Sequence, residues 1–184
     1  MPQPTNKLAP EVTGINRLLD LVVQRLPADM FPTNARTLIE TAQGNRNPIT
    51  ESHFSPEELA AIKELIALKG GDAGSIQYGD YHALSKAMHA RGQIPMSTSP
   101  SLMSMGDSLG NIQTTLGRFR YFRDPKGNLI VQDTYDFNPP QEGVMQEQRT
   151  GDYGALGPYG LIRDYAGEKI PPGYGRPINI NLGR

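Results

Sequence analysis

The stretch Leu116-Gly117-Arg118-Phe119-Arg120-Tyr121-Phe122-Arg123-Asp124-Pro125-Lys126-Gly127-Asn128-Leu129-Ile130-Val131-Gln132-Asp133-Thr134-Tyr135-Asp136-Phe137 reads as a β-hairpin. Strand one is expected over 114–123 and strand two over 129–137. Pro125 suits the first central turn position, and Gly127 suits the left-handed position of a three-residue loop. Pairing Asp124 with Asn128 sets the register. Tyr121 then stands opposite Val131 and Phe119 opposite Asp133. Side chains alternate along a strand, so Phe119, Tyr121, Val131, Asp133 and Tyr135 share one face, the expected core face. Phe122, Arg120 and Arg118 share the other with Ile130, Gln132 and Thr134.

A lone hairpin is marginal, so a third strand or a covering helix is required. The tail Arg176-Pro177-Ile178-Asn179-Ile180-Asn181-Leu182 alternates apolar and polar. It is expected as an edge strand, because Pro177 has no N–H to give a ladder. Two pairings fit it: the hairpin, or the sheet of a partner. Residues 159–168 are expected to be helical, and 144–149 to form a short helical turn.

Upstream, the pattern is helical. Val12, Ile15, Leu19, Val22 and Leu26 alternate spacings of three and four, one seam of a helix that Pro27 ends. Asn34 to Gln43 is a shorter helix closed by Gly44. Ser55-Pro56-Glu57-Glu58 opens another, with Ser55 as cap and Glu58 completing a capping box. Asp80 starts a fourth, with Tyr81, Leu84 and Met88 on one face and Gly92 at its end. The glycine strings Gly70-Gly71-Asp72-Ala73-Gly74-Ser75 and Gly151 to Gly157 lack the sequence context of phosphate loops and are expected to be loops. The expected fold class is α+β. Residues 1–92 form a helical region, 93–113 a Ser/Pro/Met-rich linker or arm, and 114–184 a hairpin-containing region.

Composition narrows the function. The 184 residues contain 20 Gly and 16 Pro, so long irregular stretches are expected. Cysteine is absent, which excludes disulfides, thiolate metal sites and cysteine nucleophiles. Net charge is -1, with acids and bases spread evenly over both halves, so no bulk nucleic-acid binding is expected. No apolar run approaches the ~20 residues of a membrane-spanning helix, and the N-terminus lacks the apolar core of a signal peptide. His82 and His89 flank Lys86 on one helix face and His53 is remote, so no metal is expected, and no cofactor.

Asp133, Tyr135 and Asp136 are the candidate catalytic group. A carboxylate on the apolar face must find donors or shift its pKa. Asp133-Thr134-Tyr135-Asp136 resembles the Asp-x-Tyr-Asp core of colicin M-type bacteriocins, which cleave lipid-linked peptidoglycan precursors. In that family five residues and then His-Arg follow; here Glu142 and Gly143 hold those places. The resemblance implies hydrolysis centred on Asp133, Tyr135 and Asp136.

A broader resemblance covers 50–184. Ser55-Pro56-Glu57-Glu58-Leu59, Ile76-Gln77-Tyr78-Gly79-Asp80-Tyr81, Leu116-Gly117-Arg118-Phe119, Asp133 to Phe137 and a closing Gly/Tyr-rich segment are similar in arrangement to small virion-associated proteins of tailed phages. This implies a non-enzymatic structural component of a tail, connector or ejection apparatus. It would be made in the host cytoplasm, located in the virion, present in multiple copies and held by other virion proteins. The expected contacts are the seam Val12, Ile15, Leu19, Val22 and Leu26, the arm residues Met96, Met103 and Met105, and the strand residues Ile178, Ile180 and Leu182. A host-targeting binding module is a further alternative.

Overall fold

The structure is a computed structural model that describes residues 17, 20, 21, 25, 31–93, 108–136, 162, 165–167, 169–171 and 174–184. The fold is α+β. The helices α1 (Thr33–Ala42), α2 (Pro56–Lys69), α3 (Tyr78–Ala90) and α4 (Ser108–Thr115) accompany, among the described residues, a four-stranded antiparallel sheet. Its strands β1 (Ala73–Ile76), β2 (Phe119–Arg123), β3 (Leu129–Asp136) and β4 (Gly175–Asn181) lie in sequence order.

The hairpin forms in the expected register, with Tyr121 opposite Val131 and Phe122 opposite Ile130. The Asp124 carboxylate fixes the turn. It accepts the N–H groups of Lys126 and Asn128 at 2.8 Å and the Asn128 amide at 2.9 Å. Gly127 takes φ 82°, the left-handed conformation that glycine adopts without penalty. The tail strand β4 pairs with β3, Val131 opposite Ile180 and Asp133 opposite Ile178, which answers the requirement for a third strand within the chain.

Three sequence expectations change. Residues 114–118 do not extend the hairpin, whose first strand begins at Phe119. Leu109, Ile112 and Leu116 recur at helical spacing and are all buried, and this outweighs the strand preference of Thr114 and Thr115. Residues 108–113 of the expected linker therefore belong to α4. The glycine string after α2 is not all loop: β1 starts at Ala73 and adds a fourth strand beside β2. Gly74 makes this possible, because a Cβ there would lie 2.6 Å from the Tyr121 hydroxyl oxygen. The Tyr121 ring covers the glycine, and its hydroxyl donates to the Gly70 carbonyl at 2.6 Å.

The capping box at the start of α2 forms as expected. Ser55 Oγ accepts from the Glu58 N–H, and Glu58 Oε2 accepts from the Ser55 N–H. The inner face of the sheet carries Ile76, Phe119, Tyr121, Val131, Ile178 and Ile180. All are buried in one cluster with Leu38, Ile62, Leu65, Leu84 and Ile112 of the helices. That core joins residues on both sides of 93–113 into one unit. Helix α4 packs on α1, α2 and α3, and α2 also reaches β1. Arg17, Asp20, Leu21 and Arg25 are helical. Tyr165, also helical, donates its hydroxyl to Asp20 at 2.6 Å.

The two sheet edges differ. The outward N–H groups of β4 meet the segment before α2: Asn179 donates to the Ile49 carbonyl at 2.8 Å, and Asn181 to Glu51 at 3.2 Å. Ile49 donates to the Pro177 carbonyl at 2.9 Å, where the proline's missing N–H costs nothing. The edge position expected for Pro177 is thus realised, and residues 49–51 cover that edge. Among the described residues no helix is long and apolar enough to cross a membrane.

Candidate functional site

The outer face of the sheet is shaped by strand alternation. One row of paired residues crosses all four strands: Ser75, Arg120, Gln132 and Asn179. Ala73, Phe122, Ile130 and Asn181 form the row beside it. A groove of about 580 Å³ runs over this face, lined by three consecutive residues of each strand region and by Pro48. Its polar side chains include Arg118, Arg120, Gln132, Thr134 and Asn179. The Arg118 guanidinium lies 5.4 Å from the centre of the Tyr78 ring, and Tyr78 is 49% exposed. Arg123 is engaged elsewhere, with Asp72 at 3.0 Å and the Gly127 carbonyl at 3.0 Å. Phe119 and Tyr121, interleaved with the arginines in sequence, face the core and do not offer stacking surfaces.

Asp133 belongs to the groove lining, but strand alternation places its half-buried side chain on the inner face, at the position opposite Ile178. Its charge acts on Tyr81 of α3. Burial first, and Asp133 second, push the Tyr81 hydroxyl well above its ordinary value of 10.0. Tyr135 is buried on the inner face opposite Arg176. The β3–β4 ladder keeps one uniform register from Ile130 to Asp136. It contains no bulge of the kind required to turn positions 133 and 136 to one face. The Asp136 side chain lies outside the described residues.

The strongest electrostatic site was not expected from sequence. Glu40 at the end of α1 meets Arg176 of β4, whose Nη1 and Nη2 both lie 3.2 Å from Glu40 Oε2. Arg36, one turn earlier, donates Nε to Glu40 Oε1 at 2.9 Å. His53 Nδ1 accepts the Thr50 N–H at 3.2 Å. That leaves Nε2 as the protonated nitrogen, 3.3 Å from Glu40 Oε2. His53, against burial, and then Arg36 and Arg176 hold the Glu40 carboxyl at about 2, well below its ordinary 4.5. Arg176 is fully buried, and its Nε donates to the Asn47 carbonyl. A buried guanidinium needs such a set of acceptors. Its distance in sequence from Glu40 and His53 hides the cluster. The one local clue is an arginine at the start of an apolar-alternating strand.

Of the expected contact residues, Ile178, Ile180 and Leu182 are buried in the chain's own core. Val12, Ile15, Leu19, Val22, Leu26, Met96, Met103 and Met105 lie outside the described residues. His82 and His89 are exposed on α3. Among the described residues no three metal-binding side chains gather. Comparison with known protein families, curated proteins and solved structures finds no match to this chain.

Proposed function

We propose that this protein is a non-enzymatic structural component of a phage virion, in a tail, connector or ejection apparatus, docked on other virion proteins through the outer face of its sheet. The observation that carries the reading is the groove across all four strands. It is broad, floored by backbone, and lined by two arginines, amides and hydroxyls. Such a lining suits an extended polar or acidic segment of a neighbouring subunit, with Arg118 and Arg120 as its charged anchors. The motif arrangement over 50–184 supplies the particle.

The test is incorporation. Phage carrying Arg118→Glu with Arg120→Glu is purified, and the amount of this chain per particle is compared with wild type. Both side chains are exposed, so the isolated variant keeps its melting temperature. The expected result is a loss of incorporation of about tenfold or more, equivalent to about 1.4 kcal/mol of contact energy. Absence of the wild-type chain from particles, or unchanged incorporation of the variant, overturns the reading.

The second reading, colicin M-type hydrolysis, rests on the Asp133-Thr134-Tyr135-Asp136 resemblance, with Asp133 half-buried at the edge of the groove. It predicts release of the pyrophosphate-linked headgroup from a lipid-linked peptidoglycan precursor by wild type and not by Asp133→Asn. A host-targeting module would instead bind bacterial cells as a free chain.

A further inference from the structure

A second cavity, of about 420 Å³, opens on the helical side of the molecule. It lies where three helices begin: α1 at Thr33, α2 at Pro56 and α4 at Ser108. Helix N-termini carry partial positive charge, and one carboxylate already uses it. Glu58, 3% exposed, takes the Ser55 N–H at 2.8 Å and the Thr33 hydroxyl at 2.6 Å. Arg36, one turn beyond Thr33 on α1, lines the same cavity. It gives Nε to Glu40. Its terminal nitrogens have no hydrogen-bond partner among the described residues. Arg36 and Glu58 both line the cavity and form no ion pair with each other.

An independent observation marks the wall between α1 and α4. Asn111 lines the cavity and is 6% exposed, and its Oδ1 has no hydrogen-bond partner among the described residues. A buried acceptor left unmet is costly, and the Asn34 amide beside it is already committed, to Thr114 at 3.0 Å. The cavity thus offers donors on Arg36, acceptors on Glu58 and Asn111, and apolar walls from Phe31 and Phe54.

We propose that this cavity binds a free apolar α-amino acid. The carboxylate pairs with Arg36. The ammonium donates to Glu58 and to Asn111 Oδ1. The side chain packs between Phe31 and Phe54. Each charged or unpaired group in the wall then has a complement, and the volume suits a ligand of this size. The site is separate from the sheet groove and independent of the role assigned to that groove.

The experiment is titration calorimetry of the full chain with L-leucine and L-phenylalanine, beside N-acetyl-L-leucine and L-leucinamide. The first analogue lacks the ammonium, the second the carboxylate. Saturable binding of the free amino acids is expected, with each blocked analogue at least tenfold weaker. Asn111→Ala weakens leucine about tenfold, the loss of one hydrogen bond to a charged group. No saturable binding of either amino acid overturns the proposal. So does equal binding of the blocked analogues, which is the mark of an adventitious apolar pocket. The analogue series runs on wild type, so the outcome stands even if the Asn111 variant fails to fold.

Discussion

Arg176 and Glu40 stand 136 residues apart in the chain, yet both terminal nitrogens of the guanidinium lie 3.2 Å from one carboxylate oxygen. Arg176 is fully buried, and Glu40 is nearly so, its side chain 14% exposed. The pair ties α1 to β4. Removing Glu40 leaves Arg176 buried without its carboxylate partner, whereas removing Arg176 leaves Glu40 still paired with Arg36 and His53.

Glu40→Gln should therefore destabilise the protein by about 3 kcal/mol or more, read from urea unfolding of the isolated chain. Arg176→Met combined with Glu40→Gln should cost less than Glu40→Gln alone, since no orphaned guanidinium remains. A double variant as unstable as the sum of both singles would mean that the two residues act independently.

Acid should act through the same carboxylate. Glu40 titrates at about 2 in the fold against an ordinary 4.5. A depressed carboxyl pKa adds stability that is complete above the unfolded value and is lost as pH falls through the folded one. The contribution, about 3 kcal/mol by the size of the shift, should decline between pH 4.5 and 2. Glu40→Gln should flatten the fall in stability over that window. An identical acid-unfolding curve for the variant would exclude Glu40 as its source.

Gly74→Ala tests the close approach that makes β1 a strand. The new methyl would meet the Tyr121 hydroxyl oxygen at 2.6 Å and its ring carbon Cζ at 2.8 Å, and the ring is held by its bond to the Gly70 carbonyl. The expected cost is about 1–3 kcal/mol, the range for overpacking. Hydrogen exchange should rise first in residues 73–76. Tyr121→Leu should rescue part of the Gly74→Ala loss. No rescue would locate the strain in the backbone.

The contact of Tyr165 with Asp20 is open to spectroscopy. Burial first, then the Asp20 hydrogen bond and charge, push the Tyr165 hydroxyl up to about 12. A phenol raised in the fold stabilises fully below its unfolded value of 10.0 and loses that contribution as pH rises toward 12. Asp20→Asn should lower the titration midpoint of one tyrosine in ultraviolet difference spectra. An unmoved midpoint would detach the helical residues around Asp20 from Tyr165.

Much of this fold follows from short-range chemistry. The hairpin register, the turn at Asp124 and Gly127, the capping box at Ser55 and Glu58 and the edge position of β4 are each set within a few residues, where turn geometry, capping and alternation act. The errors fell where a local preference met a distant one. Thr114 and Thr115 favour a strand, but burial of Leu109, Ile112 and Leu116 against three other helices makes the segment helical. Gly70 to Ser75 carries one apolar neighbour, Ile76, and becomes partly strand because β2 supplies the ladder and Tyr121 the cover.

The candidate sites divide along the same line. The groove side chains Arg118, Arg120, Gln132 and Thr134 were assigned to one face by alternation alone, because a strand's period of two fixes which residues look outward. Their assembly into a groove needed Ser75 from β1 and Asn179 from β4. The Glu40–His53–Arg176 cluster and the Arg36–Glu58–Asn111 cavity arise from pairings across 13 to 136 residues. No periodicity records such pairings, since they depend on which helix start packs against which. Local rules set the elements and their faces; long-range packing sets which charges must meet.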